Sequence, residues 1–151
     1  MVPPLLRRIA VVVAFASSVC HAQTTAPVDL SFRDLYRLPV GSRGLEPSEL
    51  LKSAVGGRVH LRGYVVEGHG VKERGEETFL LSPVPVHLPD ESDGPADDLP
   101  PTVVLVNAVG RRSPPGGALV QLTGRLEFGR AVDGEGRVSW LRLDLDEDAA
   151  Q

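Results

Sequence analysis

Five carboxylates, Asp90, Glu91, Asp93, Asp97 and Asp98, fall between His87 and Pro101 with no lysine or arginine among them. Clustered carboxylates suit calcium, which takes about six to eight oxygen ligands. An imidazole beside carboxylates suits zinc or copper. His87, Asp90, Asp93 and Asp97 are therefore the residues that would hold a cation. The spacing departs from that of an EF-hand loop, and the plainer reading of the stretch is a solvated acidic loop. The other histidines add little to it. His60 falls on the polar face of an expected strand, His69 sits in a Gly68-His69-Gly70 turn, and no two histidines have ligand spacing.

Other chemistry lacks its parts. Hydrolysis needs a nucleophile, a base and an orienting group within reach, and Ser82 and Ser113 stand outside any glycine-framed elbow. Gly68, Gly70 and Gly75 are not followed by a helix, as a phosphate cradle requires. We therefore expect no enzymatic activity and no cofactor. The formal net charge is −4, and the chain carries one Trp, two Tyr and four Phe. Single-stranded nucleic acid is held by basic grooves interleaved with stacking aromatics, so nucleic acid is not an expected partner. What remains is a binding surface, for which Trp140, Tyr64 and Arg62 are the candidates. The expected partner is an envelope protein or a small ligand.

The elements that position these residues are mostly strands. Val59, Leu61, Gly63 and Val65 alternate with His60, Arg62, Tyr64 and Val66, a period of two. Thr78–Leu81 and the apolar run Thr102–Asn107 read as two more. Val120, Leu122, Gly124, Leu126 and Phe128 form the clearest amphipathic strand. Leu141, Leu143 and Leu145 mark the inward face of the last, which sends Trp140, Arg142 and Asp144 outward. The ring of Trp140 then needs a cover, either Phe32, Leu35 and Tyr36 of the N-terminal segment or a partner molecule. Asp133-Gly134 and Glu135-Gly136 carry hairpin chemistry. Pro47–Lys52 reads as a short helix stopped by Gly56-Gly57.

Two strands share the pattern Val-x-Leu-x-Gly, at Val59–Gly63 and Val120–Gly124. A glycine in mid-strand marks a bend or a close backbone approach, and small barrels need such bends to close. The expected fold is mainly β: a small five-stranded barrel of the OB (oligonucleotide/oligosaccharide-binding) type with a short N-terminal helix.

The first residues have the parts of an export signal. Arg7 and Arg8 precede the apolar run Ile9–Val19, which is shorter than the roughly 20 residues of a bilayer span. Small residues then lead to a cut after Ala22. Cys20 is preceded by Val19 rather than the small residue a lipoprotein signal requires. Cleavage removes Cys20 and both arginines, so the mature chain is cysteine-free with a formal charge of −6. The expected organisation is a signal peptide at 1–22, an N-terminal extension at 23–44, an OB-like domain at 45–147 and a tail at 148–151. No membrane span is expected in the mature form, which is placed in the periplasm or secreted.

Gly63-Tyr64, Phe79-Leu80-Leu81 with Pro83, and His87 with Pro89 carry a resemblance to uncharacterised exported bacterial proteins with an OB-like domain of unknown function. It extends over Leu45–Leu145. That pattern has a cysteine two positions before the histidine, where this chain has Pro85, so the Cys-x-His pair it implies is absent here. The resemblance implies the fold and an exported location, and no activity.

Overall fold

The computed structural model describes residues 26–67, 71–73, 76–88, 102–134 and 136–146. The leader at 1–22 with Cys20, His69 and the acidic stretch with Asp90, Asp93 and Asp97 lie outside the described residues. In chain order the elements are β1 (Val28–Leu30), a 3-10 turn (Phe32–Asp34), α1 (Glu49–Ala54), β2 (Arg58–Val65) and β3 (Val71–Glu73). They continue with β4 (Glu76–Ser82), β5 (Val104–Val109), β6 (Leu119–Val132) and β7 (Val138–Leu145).

The chain is mainly β, but among the described residues its sheet has seven strands in the order β1-β2-β6-β7-β5-β4-β3 rather than the five expected. The five expected strands correspond to β2, β4, β5, β6 and β7. The additional β1 and β3 are three residues each, too short for a period to show in sequence. Pairing also runs from β2 back to β4 through Tyr64–Ser82 and Val65–Leu81, so the hydrogen bonding of β2, β6, β7, β5 and β4 returns on itself. Within that ring only β5 and β7 are parallel.

Alternation determines what the ring encloses. Val59, Leu61 and Val65 from β2 meet Phe79 and Leu81, Val104 and Val106, Leu122 and Leu126, and Leu141 and Leu143 in one core cluster. Leu51 and Ala54 of α1 join it. The helix begins where Ser48 accepts a hydrogen bond from the Leu51 amide at 2.9 Å, a side-chain cap on an otherwise unpaired donor. Lys52 donates to Glu49 at 2.8 Å and holds that carboxyl below its ordinary pKa, but the pair is exposed and adds little stability. A second, smaller cluster of Val66, Leu80 and Leu88 packs with Val103 and Leu105 on the other side of β4 and β5. This explains why β5 reads as continuously apolar.

The two mid-strand glycines are points of close approach. A Cβ on Gly63 would lie 2.7 Å from Cε2 of Phe32 and 2.8 Å from the Ser82 carbonyl oxygen. One on Gly124 would fall on the Asp144 carbonyl, 2.9 Å from its carbon. Gly63 thus leaves the space into which Phe32 packs. Leu30, Phe32 and Leu35 are all buried in the main core cluster. Burying a large apolar side chain contributes roughly 1.5–3 kcal/mol before ordering costs. The N-terminal segment is therefore held against β2 by its own side chains as well as by the β1–β2 ladder.

Candidate functional site

Because Val59, Leu61 and Val65 point into the core, His60, Arg62 and Tyr64 share the outer face of β2. The antiparallel register sets Thr123, Gln121 and Leu119 of β6 opposite them. On the other side β1 runs parallel to β2, with Asp29 beside His60 and Leu30 beside Leu61. The result is a groove of two joined hollows, about 370 and 430 Å³, which share Leu30, Ser31 and Arg62. Asp29, Asp34, His60 and Gln121 line the first, and Tyr64, Pro83 and Leu119 line the second.

The polar groups of this face divide into two sets. The Nδ1 of His60 and the Thr123 hydroxyl are hydrogen-bonded at 2.6 Å. Arg62, Tyr64, Gln121 and Asp29 have no side-chain partner among the described residues. The neighbouring outer face of β6, β7 and β5 differs. There Arg142 pairs with Glu127 at 3.1 Å and reaches the Gly129 carbonyl at 2.8 Å, and Asn107 donates to Asp144 at 2.5 Å. On that face Arg142 with Glu127 and Asn107 with Asp144 are committed in pairs and Arg125 is not, whereas in the groove His60 is bonded and Arg62, Tyr64, Gln121 and Asp29 are uncommitted.

Arg62 and Tyr64 are brought together, and Trp140 is not brought to them. Trp140 lies between Ser139, opposite Ala131, and Leu141, opposite Phe128, at the far end of β6 from Leu119 and Gln121. It is 54 % exposed, and Val132 and Val138, paired across the hairpin, are exposed beside it. Phe32, Leu35 and Tyr36 pack instead on the main core, where the vacancy at Gly63 receives Phe32 beside β2. Trp140 fluorescence should therefore be water-like and readily quenched by acrylamide. Trp140→Ser should change stability by no more than about 0.5 kcal/mol, as surface substitutions do. A blue-shifted, unquenched emission would contradict the exposed placement.

His87 forms a bridge with Glu67, and its Nδ1 stands 3.2 Å from the Glu67 carboxylate with both side chains exposed. Its expected companions Asp90, Asp93 and Asp97 lie outside the described residues. Among the described residues no three His, Cys, Asp or Glu side chains converge. No helix among them is long and apolar enough to cross a membrane.

Sequence reasoning missed Asp29, Asp34 and Gln121. The pairing of β1 with β2 brings in Asp29, the 3-10 turn that follows brings Asp34 to the same hollow, and the β2–β6 register brings in the glutamine. The repeated Val-x-Leu-x-Gly pattern, whose two copies lie on the adjacent antiparallel strands β2 and β6, was a signal for the glutamine and not for the acids.

No protein-family model and no curated protein matches the chain. Among solved structures, the crystal structure of a DUF3299 family protein from Pseudomonas aeruginosa PAO1 is similar, with a TM-score of 0.50 and 17 % sequence identity. The match covers 84 % of this chain and 98 % of that one. At that identity the likeness is one of fold.

Proposed function

We propose that the chain is an exported, non-enzymatic binding module of the bacterial envelope, and that the groove beside β2 is its binding surface. The observation that carries this reading is the set of uncommitted polar side chains, Arg62, Tyr64 and Gln121, gathered along one groove. Polar groups without partners keep their hydrogen-bonding capacity for a ligand, and a concave site with a few convergent polar groups is the usual form of such a surface.

We read the ring β2-β4-β5-β7-β6 as an OB-like barrel. In support, it has five strands, a single parallel pair between β5 and β7, the third and fifth of them in chain order, and close approaches at Gly63 and Gly124. Export rests on Arg7, Arg8 and the apolar run that follows them.

Formaldehyde crosslinking in the intact envelope tests the binding surface. Arg62→Glu and Tyr64→Ala should fold like the parent, because Arg62 is exposed and Tyr64 half-buried. Both should lose an adduct that the parent forms. An adduct of unchanged yield in both variants would remove the groove from consideration. The recovered protein should begin at Gln23, and one that retains Met1 would overturn export.

A further inference from the structure

Asp29 stands beside His60 in the parallel β1–β2 register, and Arg62 lies two residues further along the same face of β2. Strands are spaced about 4.8 Å apart and rise about 3.3 Å per residue, so the two positions are diagonal neighbours roughly 8 Å apart. Their opposite charges do not bridge. Each faces the same hollow, and neither has a side-chain partner among the described residues. Asp34 lines that hollow too, its carboxylate likewise without a partner among the described residues. The groove is therefore dipolar, negative at Asp29 and Asp34 and positive at Arg62.

A singly charged ligand would be attracted at one end of this groove and repelled at the other. A ligand with both charges, at matching separation, is attracted at both. We propose that the groove binds a short zwitterionic peptide, its carboxylate on the Arg62 guanidinium and its ammonium on Asp29 and Asp34. An extended chain advances about 3.3–3.6 Å per residue, so the termini of a tripeptide lie about 10 Å apart, a span that the roughly 8 Å between the two backbone positions and the length of the arginine side chain can meet. The guanidinium is suited to the carboxylate because its planar fork donates two parallel hydrogen bonds. Gln121, opposite Arg62 in the register, supplies a further donor.

This inference rests on the groove being a binding surface, and its test separates the two. The protein recovered from the envelope, labelled with ¹⁵N, is titrated with trialanine, N-acetyl-trialanine and trialanine amide. Trialanine should shift the amides of Asp29, Arg62 and Gln121. Acetylation and amidation should each weaken binding by about tenfold or more, since each removes one of the peptide's two charges and the charge-assisted hydrogen bonds made to it. Arg62→Gln should weaken trialanine by the same factor while leaving the amide unaffected. Asp29→Asn should do likewise for the acetylated peptide. Three peptides that bind alike, or none that shifts these amides, would overturn the proposal. If the crosslinked adduct is nevertheless lost in Arg62→Glu, the groove stands as a binding surface and only the peptide assignment fails.

Discussion

Gly124→Val is expected to destabilise the fold by about 3 kcal/mol or more, read as a lowered midpoint of denaturant unfolding or as failure to accumulate folded protein. Overpacking of a well-filled site costs about 1–3 kcal/mol when neighbouring side chains can move. At Gly124 the obstacle is the backbone of β7 at Asp144, which cannot swing aside. Gly124 pairs with Val59 on one side and Leu145 on the other, so relief would require separating β6 from a neighbour. Gly134→Ala is the matched control. A Cβ there meets nothing within 4 Å, and its effect should stay within about 0.5 kcal/mol. Equal midpoints for Gly124→Val and the parent would mean that β6 and β7 do not approach as closely as described.

Leu35→Ala is expected to cost about 2–5 kcal/mol, the range for removing a fully buried leucine side chain. Leu35 is completely buried although it precedes the ring strands and lies in a segment with little regular structure. It is held there by several contacts. Its carbonyl accepts from the Ser48 amide at 3.1 Å, and the Ser48 hydroxyl donates to the Asp34 carbonyl. The N-cap of α1 is thus bonded to the N-terminal segment. A variant that unfolds at the parent's midpoint would show that this segment is an appendage. The walls of the groove contributed by Asp29, Leu30 and Ser31 would then lose their support.

The β2 and β6 faces were legible because eight or more residues of strict alternation leave one assignment of inside and outside. Val59, Leu61, Leu122 and Leu126 are buried accordingly, and Arg62 and Tyr64 are on the outer side. The seven-strand sheet was not legible. In Val28–Leu30 only Leu30 is buried, and a single apolar contact has no period. The groove depends on that strand, so its acidic end was invisible as well. Trp140 was assigned to the correct face but not to its neighbourhood. β6 continues past Phe128 through a bulge at Gly129, where φ is +134°, and carries the hairpin away from the groove. Residues on one face of a sheet are neighbours only where the register makes them so.

Site-specific photocrosslinking in the intact envelope tests most directly whether the groove is the binding surface. The same photoreactive side chain is placed at 62 in the groove, at 140 on the hairpin and at 50 on the exposed side of α1. Leu50 and Trp140 are both exposed and lie outside the residues lining the groove. Position 62 is predicted to give a discrete adduct by mass spectrometry, well above the yield at 50. A yield at 62 no greater than that at 50, with the discrete adduct arising at 140 instead, would contradict the account and assign binding to the hairpin.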